Sequence, residues 1–172
     1  PDLVHYGGNI DSHLSLFSEW GRQFCLWSGT SFSTPRITAL AANLNQMIGG
    51  ECNPLLLKAL LVHNSDYPAG LSKTSEELRR EMGFGLPSVI TDMLNDDADE
   101  CTMVFQQTLQ KGTNIVSLDF PYPQSLVENG YFIGEITLTM AVNPVINASQ
   151  GCEYCQSQVD VLLETYDHVE HV

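Results

Sequence analysis

A serine lies between a glycine-bearing turn and the start of an apolar segment in Gly29–Pro35, which reads GTSFSTP. Gly29 allows a tight backbone turn where a side chain would clash. Thr34 is a favoured N-cap and Pro35 a favoured first helical residue, since an N–H is not needed at that position. Apolar residues then recur at helical spacing, which predicts a helix from about Pro35 to Met47 with one buried face. They are Ile37, Leu40, Ala41 and Leu44.

Ser31 is thereby predicted to lie just ahead of a helix N-terminus, a setting that suits a nucleophile. Free backbone N–H groups and the helix dipole favour negative charge there. Acylation of a serine creates an oxyanion, which such donors stabilise. The alternative is a helix cap without chemistry, and capping is the interpretation we adopt for Ser33 and Thr34.

The seven residues resemble the serine motif of the subtilisin-like serine peptidases (subtilases), in which Gly-Thr-Ser-x-[Ala/Ser]-[Ser/Thr]-Pro carries the nucleophile. The resemblance implies that Ser31 is the catalytic nucleophile and that its own backbone N–H is one oxyanion donor. It also implies a catalytic triad in the chain order Asp, His, Ser.

Three flanking segments extend the resemblance over about the first half of the chain. Pro1–Asn9 looks like the Lys-Pro-Asp-Val/Leu strand and glycine turn that precede the serine motif in subtilases. Leu56–Asn64 looks like the family's next helix, and Met82–Pro87 looks like the Gly-Tyr/Phe-Gly turn that closes the peptidase domain. The four matches occur in the family's order.

Some family features are absent or altered. Phe32 replaces the commoner Met and Arg36 stands where many relatives have His or Val, but neither position performs the chemistry. The family's catalytic Asp, catalytic His and oxyanion Asn lie well upstream of the serine, and His5 and His13 lack the family's His-Gly-Thr context. We therefore expect the chain to be the C-terminal fragment of a longer subtilase and to be inactive by itself.

Charge and hydropathy limit the classes of binding partner that we expect for this protein. The formal net charge is -14, with only 7 Lys plus Arg among 172 residues. Nucleic-acid binding depends on basic patches, and anionic membrane surfaces attract basic segments, so we expect neither partner. No apolar run reaches the length of a membrane span, and no signal peptide is visible.

The five cysteines form an odd, scattered set, which argues against a disulfide framework and favours a cytoplasmic location. Cys152 and Cys155 have the spacing of metal ligands, but no second pair completes a tetrahedral site. A redox pair is similarly weakly supported, because the two cysteines do not open a helix after a strand. We expect no metal and no cofactor.

The pattern of apolar residues predicts two structural units. Residues 1–95 alternate strand, turn and helix, with strands at Leu3–Tyr6 and Phe24–Trp27 and a helix from Pro87 to Leu94. Asn53–Pro54 is predicted to open another helix, with Asn53 as its N-cap, which runs to about His63. Ser72–Glu81 is polar all round, which predicts a surface loop or a short helix. The resemblance makes this unit an α/β fold, the C-terminal part of a subtilisin-like three-layer parallel-sheet domain.

The acidic stretch at residues 95–100 predicts a boundary, after which the apolar period changes to that of strands. A smaller antiparallel β domain is predicted at residues 101–172. Its strands are expected at Thr102–Leu109, Thr113–Phe120, Glu135–Val142 and Val159–Tyr166.

Two functions from different classes fit these observations. The first is a serine endopeptidase that hydrolyses peptide or protein substrates through an acyl-enzyme at Ser31, with this chain supplying the nucleophile-bearing part. The second is a degenerate subtilase, or a β-domain fragment, that acts as a non-catalytic binding or scaffold module.

Asp2 and His63 are expected to be structural, and His168 and His171 to lie in a solvated tail. Self-association of the fragment is also expected, because its sheet edge and apolar surface are poorly protected.

Overall fold

Helices and short strands alternate through the first half of the chain. The computed structural model describes residues 1–9, 11–18, 23–94, 99–117, 120 and 122–163. The mixed α and β content expected for the first half is present. Its elements are β1 (Leu14–Ser18), β2 (Gln23–Trp27), α1 (Thr30–Met47), α2 (Pro54–His63), β3 (Ser65–Asp66), α3 (Ser75–Met82) and β4 (Leu86–Pro87).

A side chain of the residue just before the helix caps each of the helices α2 and α3. Asn53 Oδ1 accepts hydrogen bonds from the backbone N–H groups of Leu55 at 3.1 Å and Leu56 at 3.2 Å, which confirms the cap predicted for α2. Thr74 and Glu77 form a reciprocal capping box at the start of α3. Hydrogen bonds from the Thr74 backbone and side chain lower the pKa of Glu77.

The helix predicted from Pro87 to Leu94 is wrong. Pro87 lies in β4 and pairs with Ser65 of β3 in an antiparallel register. The Ser88 backbone N–H then donates to the Asn64 carbonyl oxygen at 2.8 Å. This pairing keeps the backbone extended, so only a short 3₁₀ turn forms, at Ile90–Asp92.

Each sheet among the described residues contains two antiparallel strands. β1 pairs with β2 and β3 pairs with β4. The predicted strand Leu3–Tyr6 joins none of them, although Val4 N–H donates to the Gly85 carbonyl oxygen at 2.9 Å. The strand predicted at Phe24–Trp27 is confirmed as β2, whereas these sheets do not confirm a three-layer parallel sheet.

The hydrophobic core lies between α1, α2 and the 3₁₀ turn. Leu44 of α1 and Met93 after the turn are fully buried, and they pack with Leu60 and Leu61 of α2. Burial of one such aliphatic side chain contributes about 1.5–3 kcal/mol. This core fixes α1, and hence the serine at its other end, relative to α2. Apolar residues of α1 at the predicted positions lie partly buried against it: Ile37, Leu40 and Ala41.

The second half has much less regular structure than its sequence pattern predicts. The described residues of the four predicted strands form no regular strand; isolated bridges lie outside them, at Cys101 and between Ile146 and Cys155. The strands present there are a hairpin of β5 (Val127–Glu128) and β6 (Tyr131–Phe132). An alternating sequence stays extended in a sheet only when a neighbouring strand takes its hydrogen bonds, and no described segment does so for these residues.

Contacts divide the chain into two compact units. One comprises Pro1–Thr108 with Val116–Ala141, and the other comprises Leu109–Ile115 with Val142–Val172. The domain division at residues 1–95 and 101–172 stays a prediction, and residues 95–98 of its boundary lie outside the described residues. Among the described helices, none has the length and hydropathy needed to cross a membrane.

Two glycines let the N-terminal segment and β3 approach the 83–85 turn closely. Gly83 and Gly85 have positive φ angles of 63° and 108°. A Cβ on Gly83 would overlap the carbonyl oxygens of Pro1 and Asp2, and a Cβ on Gly85 would overlap the carbonyl oxygen of Asp66. Only glycine meets both the backbone and the space requirement there.

We expect Gly85→Ala to destabilise the fold more than Gly70→Ala. Gly70 also has a positive φ, of 84°, but its Cβ would meet no atom within 4 Å, so alanine there costs only the backbone strain. At Gly85 the overlap with Asp66 adds about 1–3 kcal/mol to the loss of unfolding free energy. Urea unfolding followed by circular dichroism measures both variants. Equal losses would show that the Gly85–Asp66 approach is not tight.

Candidate active site

Ser31 lies in the first turn of α1, directly after the strand β2. The helix begins at Thr30, five residues earlier than Pro35, so the predicted start with Thr34 as N-cap is wrong. The hydroxyl groups of Ser33 and Thr34 do not cap; they donate to the Thr30 carbonyl oxygen at 2.7 Å and 3.2 Å. Such back-bonding is an alternative use of a hydroxyl inside a helix.

Pro35 lies inside α1 and affects the carbonyl group of Ser31. In an α-helix the N–H of residue 35 would donate to the carbonyl oxygen of residue 31. Proline has no N–H, so this bond is missing, and the proline ring crowds that carbonyl. The first turn of α1 therefore carries a serine whose helical hydrogen bonding is incomplete.

The Ser31 side chain is exposed and its polar groups are free. Its hydroxyl makes no hydrogen bond with any residue that the structure describes, and its backbone N–H donates to none of them. The N-terminus of α1 has no acidic residue in its first turn. No carboxylate of that turn compensates the positive end of the helix dipole, which favours an anion developing beside Ser31.

Gly7 contacts the turn that presents Ser31 and stabilises it. The Gly29 backbone N–H donates to the Gly7 carbonyl oxygen at 2.8 Å. A Cβ on Gly7 would lie 2.5 Å from the Gly29 carbonyl oxygen, so the two chain segments can approach only because Gly7 has no side chain. The glycine turn was predicted from the sequence, but its contact with Gly29 was missed, because it joins residues far apart in the chain.

Among the described residues, no histidine is hydrogen-bonded to Ser31. His5 Nδ1 accepts the Tyr6 backbone N–H at 2.8 Å, which puts the ring hydrogen of the neutral form on Nε2. His63, the last residue of α2, has its Nδ1 3.0 Å from Thr139 Oγ1. His13 makes no hydrogen bond to a described residue. His168 and His171 lie outside the described residues.

The environment of His5 disfavours its protonated form. Partial burial lowers the pKa of His5, and the nearby positive charge of Arg36 lowers it further. Arg36 lies on α1, so the N-terminal segment and the serine-bearing helix are electrostatically coupled. Since the unfolded chain binds a proton to His5 more readily, stability increases as the pH rises through the usual histidine range.

Asp2 is occupied by an ion pair that connects the N-terminal segment to α2. Its Oδ2 accepts a hydrogen bond from Lys58 Nζ at 2.8 Å. This hydrogen bond and the charge of Lys58 lower the pKa of Asp2. Both side chains are mostly exposed, so the pair contributes modestly to stability. Its partner and position suit the structural role expected for Asp2.

A metal site is not formed by the described residues, which contain no cluster of three or more His, Cys, Asp or Glu able to hold an ion. An open groove of about 430 Å³ lies where α1 ends and α2 begins, and Gln106 also lines it. Because α1 contains 18 residues, this groove is roughly 25 Å from Ser31 along the helix. The groove is therefore separate from the serine turn.

Comparison with known protein families gives a match over the first half of the chain. Residues 1–85, about half of the chain, match the Subtilase family. The matched part includes the serine turn, α1, α2 and the glycine turn at residues 83–85. No curated protein and no solved structure matches the chain.

We expect Arg36→Gln to raise the pKa of His5. Removal of the positive charge makes protonation of His5 less unfavourable, while its partial burial remains, so the pKa rises only part of the way to the usual value. NMR titration of the His5 ring protons measures the change. Arg80→Gln, on α3, is the matched control and leaves the titration unaltered. An unchanged His5 titration in Arg36→Gln would show that burial alone sets the pKa.

Proposed function

Because residues 1–85 belong to the subtilase family, we propose that the protein is a serine endopeptidase and that Ser31 is its nucleophile. Family membership makes it a hydrolase of the serine protease class, and the substrates of such an enzyme are peptides or proteins. The observation that carries the assignment to Ser31 is its position in the first turn of α1, exposed and with hydroxyl and backbone N–H both free.

This geometry suits acyl transfer. The Ser31 hydroxyl oxygen attacks the scissile carbonyl carbon, while a histidine takes the hydroxyl proton and later gives it to the leaving amine. The Ser31 backbone N–H and the N-terminus of α1 stabilise the oxyanion that forms. Water then hydrolyses the acyl-enzyme.

The general base of the proposed reaction is a histidine that is not hydrogen-bonded to Ser31 in this structure. Neither His5 nor His63 is hydrogen-bonded to Ser31; the Nδ1 of His5 accepts the Tyr6 N–H, and the Nδ1 of His63 lies beside Thr139. The same applies to Asp2, whose carboxylate pairs with Lys58. The chain therefore supplies the nucleophile-bearing part of the enzyme, and a histidine and an aspartate from another segment complete the triad.

We also propose the finer architecture. The segments of residues 1–85 form part of a three-layer domain with a parallel sheet, and the α1–α2 core is one of its helical layers. A smaller antiparallel β domain at residues 101–172 is supported by the alternation of apolar residues and by the short β5–β6 hairpin.

The cytoplasmic location inferred from the five cysteines stays a prediction; all five are free thiols.

A non-catalytic scaffold is the second candidate function. It is favoured by the absence of a histidine hydrogen bond to Ser31 among the described residues. In that case the serine turn would keep its fold but have no partner to activate the hydroxyl. The two functions differ in whether the complete protein contains a base that reaches Ser31.

We expect Ser31→Ala to abolish peptide hydrolysis by the full-length protein, with a rate loss of roughly 10⁴- to 10⁶-fold. Ser33→Ala is the matched control, because the Ser33 hydroxyl donates to the Thr30 carbonyl group and takes no part in the proposed chemistry. The measurements are casein cleavage and labelling by a fluorophosphonate probe, with circular dichroism to check the fold.

The isolated chain should not label above its Ser31→Ala variant, because no histidine among the described residues is hydrogen-bonded to Ser31. Ser31-dependent labelling of the isolated chain would show that a residue of this chain activates the serine. Failure of the full-length protein to label at all would favour the scaffold function. Activity that survives in full-length Ser31→Ala would place the nucleophile elsewhere.

We propose that the fragment self-associates through the hairpin of β1 and β2. These strands pair only with each other among the described residues, and Leu26 and Trp27 are 64% and 59% exposed. A two-stranded hairpin is marginally stable alone, and unpaired edges accept further strands. A second copy of the hairpin would cover both features, although the net charge of -14 opposes contact.

We expect association of the fragment to increase with salt concentration, because salt screens the repulsion between acidic copies. Light scattering of the wild type and of Leu26→Glu measures it. The variant should remain monomeric at the concentration where the wild type associates. Leu71→Glu changes a residue that is 42% exposed in a loop outside the hairpin, and this control should associate like the wild type. A wild type that stays monomeric at high protein and salt concentrations would contradict the proposal.

A further inference from the structure

The sequence contains one triplet that can accept an N-linked glycan. Asn147-Ala148-Ser149 is the single Asn-x-Ser/Thr triplet among the 172 residues in which x is not proline. This pattern is the recognition sequence for glycosylation of the asparagine amide nitrogen. The neighbouring Asn143 is followed by Pro144 and has no hydroxyl residue two positions later.

The hydroxyl and amide groups of this triplet are already in contact. Ser149 Oγ donates a hydrogen bond to Asn147 Oδ1 at 2.7 Å, and the Ser149 backbone N–H donates to the same oxygen at 3.1 Å. Asn147 Nδ2 donates to no residue that the structure describes. The amide oxygen is thus held by the serine, while the nitrogen that would become glycosylated is free.

The triplet is accessible, and two exposed apolar side chains lie beside it. Asn147, Ala148 and Ser149 are all exposed. Beside them, Ile146 is 64% exposed and Tyr154 is 55% exposed. The Asn147 N–H donates to the Tyr154 carbonyl oxygen at 2.6 Å, which keeps the two segments together. A glycan is bulky and solubilising, so one attached here would cover apolar surface next to its attachment point.

We propose that Asn147 is an N-glycosylation site, modified from a polyprenyl-diphosphate-linked oligosaccharide. Asn147 Nδ2 attacks the anomeric carbon of the first sugar and forms the new C–N bond. The bond from that carbon to the diphosphate oxygen breaks, and the polyprenyl diphosphate leaves with the electron pair. One amide proton passes to a base of the glycosyltransferase. No electrons are gained or lost, and the Ser149 hydroxyl positions the amide through Asn147 Oδ1.

The proposal has a consequence for cellular location. Transfer from such donors takes place in the lumen of the secretory pathway, so a molecule that carries this glycan has left the cytoplasm. Glycosylation of Asn147 and the cytoplasmic location inferred from the cysteines therefore exclude each other for the same molecule. The proposal does not depend on the chemistry of Ser31, since the triplet lies outside residues 1–85.

The test is production of the full chain behind a secretion signal in cultured eukaryotic cells. We expect a decrease in electrophoretic mobility that peptide-N-glycosidase reverses, and conversion of Asn147 to aspartate after that treatment, read by mass spectrometry. Asn147→Gln and Ser149→Ala should lose the shift completely. Ser149→Thr should keep it, because threonine retains the hydroxyl.

Asn143→Gln is the matched control, since it removes an exposed asparagine of the same compact unit and should leave the shift unchanged. The whole cell extract is measured together with the medium, because transfer takes place on entry into the lumen, whether or not the chain is then secreted. A chain without a glycosidase-sensitive shift overturns the proposal. A shift that survives in Asn147→Gln overturns it as well, because the glycan would then be attached elsewhere.

Discussion

Close approach of backbone to backbone at glycines is the constraint on which the first half of this protein depends. Residues 1–9 lie against the serine turn at one end, through Gly7 and Gly29, and against the 83–85 turn at the other, through Asp2 and Gly83. Hydrogen bonds of 2.8 Å and 2.9 Å hold these crossings. A Cβ at Gly7 or Gly83 would separate the segments, and the turn that presents Ser31 would lose its support.

The helical core fixes the orientation of α1, the helix that carries the candidate nucleophile. Leu44, near the end of α1, is fully buried among residues of α2 and Met93, so the long helix cannot rotate without opening the core. Its first turn, with Ser31, is therefore presented from a fixed support. The core orders the helix but leaves the Ser31 hydroxyl exposed and unpaired among the described residues, which is the state that a nucleophile requires before a base reaches it.

In the second half of the chain, apolar burial contributes less to the structure than in the first half. Many of its apolar residues are exposed, including Val116 at 73% and Leu162 at 79%, so burial contributes little to order there. Local hydrogen bonds contribute to its order, such as those of the β5–β6 hairpin and of the Asn147–Ser149 contact. In a segment of this kind, polar contacts rather than a core place the side chains, and one of them aligns an amide with a hydroxyl.

The sequence by itself determined the features that depend on neighbours in the chain. The Asn53 cap, the strand at Phe24–Trp27 and the apolar face of α1 were predictable, since capping and periodicity are local. The serine motif likewise needs only consecutive residues. Neighbours in the chain did not predict three features: the start of α1 at Thr30, the extended backbone at Pro87, and the lack of regular strands among the described residues of the four segments predicted as strands. Hydrogen bonds between distant segments, such as β3 with β4, outweigh local propensity, and a strand without a partner to take its N–H groups does not form.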